Sequence, residues 1–436
     1  MNPPAKLFLL AWALASSALA AQAATPRLPF PQHRVYAPGS LRPTVRNQTQ
    51  QDADVLAAYQ SWKSRYLAQA GTEPDGHPRY RVKTGTAAGS TTVSEGQGYG
   101  MLIVVHMAGA DPDAQTIFDG LWEFALDHPS TIDSRLMDWH INANEVADPD
   151  GNDSAFDGDV DMALALLLAE RQWGNAERFD YHTEALRVIA GIGASTLGPA
   201  SRLPLLGDWV DPSGNDYNQY TVRTSDFVPG HFRAFGRATG DPLWTAAVTA
   251  VQAAVTTLQT EVSPATGLLP DFVVPVSAND HRPRPAPPGF LEGPDDGHYY
   301  YNAGRDPWRL GTDALISGDA TSTAQARKLA QWVRGATSGD PLQIAGGYRL
   351  DGTPIGNFFT SFFASPFGVA AMLDPVGQAY LDAVYTAVRA RVENYYEDSV
   401  TLLCLLVMSG NFLDPGSLFA DGFETGNTSA WSQTVP

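Results

Sequence analysis

Apolar residues recur at helical spacing along nearly the whole chain. Residues 51–70, 94–109, 114–127, 158–173, 182–195, 226–239, 242–260, 305–316, 323–336, 359–371, 376–390 and 395–409 each place them three and four positions apart, the pattern of a helix that buries one face. Loops rich in Gly, Pro, Asp and Asn join these segments. Strand-like alternation is rare and short, so the pattern predicts an all-α protein. The predicted helices are of two kinds. Residues 98–109 (GYGMLIVVHMAG) and 160–169 (VDMALALLLA) are apolar nearly all round, as buried helices are, whereas 51–70 and 323–336 are amphipathic. Alternation of the two kinds predicts two concentric rings, an (α/α) barrel. Another multi-helix array fits the same periodicity. No internal repeat points to a solenoid.

The ends differ from the middle. Lys6 precedes the apolar run Leu7–Leu14, and Ala18-Leu19-Ala20 or Ala21-Gln22-Ala23 follows with small residues. Residues 1–23 therefore read as a secretory signal peptide, and the run is too short to span a bilayer. A periplasmic or extracellular protein with no membrane association is expected. Residues 24–45 are Pro-rich without periodicity and read as a tether, 46–414 as the folded domain, and 415–436 as a short tail. Within the domain, 276–300 is the longest non-helical insertion, and such a loop in a compact domain is functional or disordered.

Composition narrows the picture further. A hydrophobic fraction of 44%, with 10 Trp, 16 Tyr and 19 Phe, suffices for a large core. The single cysteine, Cys404, lies in the apolar run TLLCLLVM and reads as a small buried side chain. The net charge of −19 excludes a nucleic-acid partner, whose binding needs clustered Lys and Arg. It favours solubility and attraction of a cationic polymer. A monomer is expected.

Three stretches carry candidate chemistry. In VSEGQGYGM, Ser94 reads as an N-cap and Glu95 opens a buried helix where packing asks for no carboxylate; a first-turn acid favouring the helix dipole is the other reading. In AFDGDVDMALALLLAERQW, Asp157 and Asp161 stand four apart on one helix face, or serve as a cap and an exposed first turn. Asp148, Asp150 and Asn152 resemble the start of a calcium loop, but Asp153 occupies the position where that loop needs Gly. The nine His and one Cys show no ligand spacing, so no metal and no cofactor are expected. The third stretch runs from Glu292 in FLEG to YYYNAGRDPWR, which brings Tyr301, Asn302 and Arg305 to a loop-to-helix junction. Aromatic faces beside amides and arginines suit a sugar-binding cleft. Trp139, Trp209 and Tyr396 complete the candidate substrate-binding set.

These stretches, with YYEDSVTLLCLLVMSGN, resemble glycoside hydrolase family 8 from about residue 50 to about residue 412. One departure is Phe156, where the family has a small hydroxyl residue before the aspartate. The resemblance implies an (α/α)6 barrel with six inner and six outer helices, an open cleft, and inverting hydrolysis of a β-1,4-linked polysaccharide. It makes Glu95 the general acid and Asp157 the residue that holds the distorted sugar. Many members place an aspartate base where this chain has Asn302. Another branch has Asn there and a glutamate base ten residues earlier, as Glu292 stands here. Arg305 matches the family's cleft arginine. An inverting pair needs a protonated acid and an ionised base with a water between them. Asp295 and Asp296 follow Gly293-Pro294 and are expected to face solvent. β-1,4-Glucan is the first expectation for the polymer and chitosan the alternative. A catalytically inactive carbohydrate-binding protein on the same fold is the rival reading.

Overall fold

The computed structural model describes residues 24–149, 151–175 and 178–416. Twelve α-helices are seen among them: α1 (Gln48–Tyr66), α2 (Ser94–His106), α3 (Ala114–Asp127), α4 (Phe156–Trp173), α5 (Tyr181–Ser195), α6 (Pro229–Thr239), α7 (Leu243–Thr257), α8 (Asp306–Ser317), α9 (Ala320–Ala336), α10 (Ser361–Ala371), α11 (Gln378–Val388) and α12 (Tyr395–Met408). The even-numbered helices touch in a closed ring, α2 to α4 to α6 to α8 to α10 to α12 and back to α2. Each odd-numbered helix packs outside this ring, α3 against α2, α5 against α4, α7 against α6, α9 against α8, α11 against α10 and α1 against α12. This is the (α/α)6 barrel. Burial follows from it: every described residue of α10 and nearly every one of α2, α4 and α12 is buried, while the outer helices keep a polar face.

The two ends of the barrel are built differently. At one end, the N-termini of α2 and α4 and the turn before α8 converge. At the other, the inner helices end in carbonyls that have no partner within the helix. Residues 24–41 run across that end and supply donors. The backbone N–H groups of Arg27, Phe30, Arg34, Ala37 and Leu41 donate to the carbonyls of Gln172, Ala108, Gly410, Leu315 and Met372. Phe30 and Tyr36 are buried beneath the strap. The expected tether is thus a closing strap. Its proline-rich, aperiodic sequence hides the fact because its partners belong to five other helices.

The short strands also differ from expectation. β1 (Leu67–Thr72) and β2 (Pro78–Val82) form a hairpin where the helical pattern of 51–70 suggests continuation, since α1 ends at Tyr66. β3 (Thr92–Val93) pairs with β4 (His140–Ile141), and β5 (Val222–Arg223), β6 (Phe272–Ser277) and β7 (Asp280–Pro285) form a three-stranded sheet. The sheet occupies the front of the insertion at 276–300. No described helix is long and apolar enough to cross a membrane. Residues 1–23 and 417–436, which hold the expected signal peptide and most of the tail, lie outside the described residues.

Glycines set how closely α2 and α4 approach. A Cβ on Gly98 would stand 2.9 Å from Asp161 Cβ and from the Gly158 carbonyl, and one on Gly158 would stand 2.5 Å from Ser94 Oγ. Both clashes are at the mouth of the barrel, where Glu95 and Asp157 must meet. Gly158→Ala is expected to overpack this contact and destabilise the fold by about 1–3 kcal/mol, read as a lower urea midpoint with unchanged m-value. An unshifted midpoint would contradict the close-approach argument.

Candidate active site

Arg305 lies at the centre of the open end, on the 3-10 turn that precedes α8, and is 1% exposed. Its Nη1 donates to Glu95 Oε2 at 3.2 Å, to the Tyr99 hydroxyl at 3.2 Å and to Asp157 Oδ2 at 2.9 Å. Its Nη2 donates to Ser225 Oγ at 2.7 Å and to Asn302 Oδ1 at 3.0 Å. One guanidinium thus gathers side chains from α2, α4, the turn before α6 and the turn before α8. A planar fork with five donors can do this; an ammonium cannot. One helical turn deeper, Asp161 accepts two bonds from Arg309 on α8 and one from His231 on α6. Asp161 therefore belongs to a buried ion pair that ties α4, α6 and α8 together.

The chain of contacts continues to Glu292. Asn302 accepts from Arg305 with its oxygen and donates from Nδ2 to Glu292 Oε2 at 2.8 Å. Asp271, buried, orients this turn by accepting from the backbone N–H groups of Tyr300, Asn302 and Ala303. The other oxygen of Glu292 accepts from Arg223 Nη2 at 3.0 Å. Glu292 is 48% exposed, on a loop shaped from within. Asp296, buried, accepts from the N–H groups of Leu291, Glu292 and Gly293. The expectation that Asp296 faces solvent is corrected: its carboxylate closes the loop on which Glu292 stands. Phe290 anchors the same loop against Phe272 and Tyr217, and Tyr217 stacks edge-on with Trp209. Leu291, beside Phe290, is exposed.

Environment separates the carboxyls. Burial raises the Glu95 carboxyl to about 7, against the pull of Arg305 and with the added repulsion of Asp157. Burial acts in the same sense on Asp157, but the Arg305 and Arg223 guanidinium groups outweigh it and hold that carboxyl below its usual value. Glu95 Oε1 has no hydrogen-bond partner, and neither does the nearby buried hydroxyl of Tyr395. The arrangement places a carboxyl with raised proton affinity at one end of a hydrogen-bonded chain, a second glutamate at the other, and an aspartate of lowered proton affinity beside the central guanidinium.

Comparison with known proteins decides the family. The model for glycosyl hydrolases family 8 matches residues 28–410. The chain belongs to glycosyl hydrolases family 8. It is 41% identical to a β-glucanase of Niallia circulans over 89% of this chain and 92% of that protein. It is 38% identical to an endoglucanase of Bacillus sp. (strain KSM-330) over 89% and 82%. The apo structure of a β-1,3-1,4-glucanase from Paenibacillus sp. X4 superposes with a TM-score of 0.85 at 41% identity, covering 89% of this chain and all of that one. The protein is a glycoside hydrolase, and the (α/α)6 barrel is the fold of its family.

Of the residues singled out from sequence, this family 8 barrel brings Glu95, Asp157, Glu292, Asn302 and Arg305 into one network. Tyr396 lies beside Arg305, with its ring centroid 5.9 Å from the guanidinium carbon, and its hydroxyl donates to the Tyr301 carbonyl. Tyr301 stacks on Phe362. Trp139 immediately precedes β4, where its carbonyl accepts from Ser94 N–H at the start of α2. Trp209 is linked to the Glu292 loop through Tyr217 and Phe290. Phe156 is buried against Phe232. Asp150 lies outside the described residues, and among the described ones no group of three or more His, Cys, Asp or Glu could hold a metal ion. Sequence reasoning missed Arg223, Asp226 and Asp271, because the first stands on a two-residue strand and the others act through the backbone or the interior.

The raised Glu95 value has a kinetic consequence. A donor must carry its proton, so kcat/KM is expected to fall as pH rises through about 7. The measurement is a pH–rate profile on soluble glucan. Activity that stays level to well above that pH would contradict the assignment of the titrating group.

Proposed function

We propose that the protein is a secreted endo-β-1,4-glucanase of the cellulose and lichenan type that works with inversion at the anomeric carbon. The observation that carries this is the chain Glu95–Arg305–Asn302–Glu292. It ends in a desolvated carboxyl on a rigid helix and in a solvent-facing carboxyl on a loop. Glu95 is the general acid and Glu292 the general base, with Asp157 holding the sugar at the cleavage point. Glu292 takes a proton from a water that attacks the anomeric carbon. The bond to the leaving oxygen breaks as Glu95 protonates that oxygen, and the product has the opposite anomeric configuration. Asn302 cannot accept a proton from water, so its part is to hold Glu292. Trp139, Trp209, Tyr301 and Tyr396 are assigned to sugar rings along the cleft. Export rests on the signal-peptide pattern of residues 1–23.

The charge arrangement favours a neutral glucan over chitosan. Glu95 and Asp157 are already paired with Arg305, and Glu292 with Arg223. Asp226 and Asp271, the other acids at this point, are both buried. No carboxylate is left for a glucosamine ammonium at the cleavage point, and the two guanidinium groups repel one. The names of the relatives, β-glucanase and endoglucanase, agree with this choice.

The test is a panel of lichenan, carboxymethylcellulose, xylan and chitosan, with the fresh product anomer read by proton NMR. Glucans are expected to be cut fastest and to yield the α-anomer first. Glu95→Gln and Glu292→Gln are each expected to lower turnover at least about 10²-fold while the proteins stay folded. Preferred cleavage of chitosan, a β-anomer appearing first, or a Glu292→Gln enzyme near full activity would overturn the reading.

A further inference from the structure

Arg223 lies outside every motif read from the sequence, yet it touches the proposed base directly. It ends β5, opposite Phe272 of β6, and its guanidinium carbon lies 5.3 Å from the centre of that ring. The side chain is 12% exposed and meets three acids. Nη2 donates to Glu292 Oε1 at 3.0 Å, while Nη1 stands 3.7 Å from Asp226 Oδ2 and 4.0 Å from Asp157 Oδ2. Asp226 is fully buried and neither of its carboxyl oxygens has a hydrogen-bond partner. A buried carboxyl without a hydrogen bond needs an explanation. The guanidinium beside it supplies one: burial raises the Asp226 carboxyl to about 7, and Arg223 in front of it pulls it back toward the charged form.

We propose that Arg223 is a positioning residue for the general base, an inference that rests on Glu292 being that base. A glutamate on an exposed loop has rotamer freedom that a base cannot use, since small misplacements of a reacting group lower the rate by large factors. Arg223 on one oxygen and Asn302 on the other remove that freedom and leave lone pairs for the water. The same guanidinium faces Asp157, so the base and the residue that holds the sugar are referenced to one cation. Asp226 draws Nη1 inward, which turns Nη2 outward to Glu292. The charged groups around the pair are Asp157 from α4, Asp226 after β5, Asp271 before β6, Arg305 before α8 and Glu95 from α2. Among them, Arg223 is the cation bonded to Glu292.

The experiment compares Arg223→Met, Arg223→Lys and the double variant Arg223→Met/Asp226→Asn, which removes the cation together with the buried carboxyl behind it. Glu292→Gln is run alongside. Each is checked for folding by circular dichroism and assayed on lichenan for kcat and KM. In the Met variants kcat is expected to fall about 10²-fold with KM little changed. Arg223→Lys is expected to restore only part of kcat, because the charge returns without the fork. An unchanged kcat in folded Met variants beside an inactive Glu292→Gln overturns the positioning role alone. A Glu292→Gln enzyme that stays active overturns the base assignment and this proposal with it.

Discussion

A fully buried guanidinium, that of Arg305, stands where the N-terminal ends of inner helices converge. Helix N-termini carry positive partial charge, so a cation is unfavourable there unless acids compensate it. Asp157 supplies that compensation from α4, and Glu95, Tyr99, Ser225 and Asn302 complete the shell of acceptors. Removing one partner of such a buried pair leaves an uncompensated charge at a cost of about 3–5 kcal/mol. The close approach of α2 and α4 at Gly98 and Gly158, and the polar tie of Asp161 to Arg309, keep this arrangement rigid.

The same constraint divides the labour between carboxyls. Glu95 and Asp157 share one cation, but Asp157 receives the shorter bond and a second guanidinium nearby, so it keeps its charge while Glu95 keeps its proton. Two acids in contrasting environments then carry different roles. In the proposed mechanism the barrel supplies the proton donor and the sugar holder from helices. The loops supply Glu292, whose position depends on Asp296, Phe290, Asn302 and Arg223 rather than on the barrel itself. Loop variation can therefore change the base and the polymer without disturbing the donor.

Sequence periodicity carried the twelve helices because each buries a stripe, and the apolar character of 98–109 and 160–169 marked the inner ring. Glu95 stood out as an acid that packing does not require. Asn302, Arg305 and Glu292 stood out as polar residues crowded among aromatics at one loop-to-helix junction, and the resemblance supplied their separate roles. What escaped has a common physical cause: its partners are distant in the chain. The strap of residues 24–41 satisfies carbonyls at five helix ends. Arg223 meets Glu292 across 69 positions, and Asp271 acts through backbone donors about 30 residues on. Asp296 was misread because a short acidic loop resembles a solvated one until its carboxylate is seen to face its own backbone.

The central claim is that burial leaves Glu95 protonated while the Arg305 and Arg223 guanidinium groups keep Asp157 ionised. A neutron structure of the perdeuterated protein, at a pD below the Glu95 value, tests it most directly. The account predicts a deuteron on Glu95, none on Asp157, and a fully deuterated Arg305 donating to both acids. A bare Glu95, or a deuteron on Asp157 in its place, would contradict it.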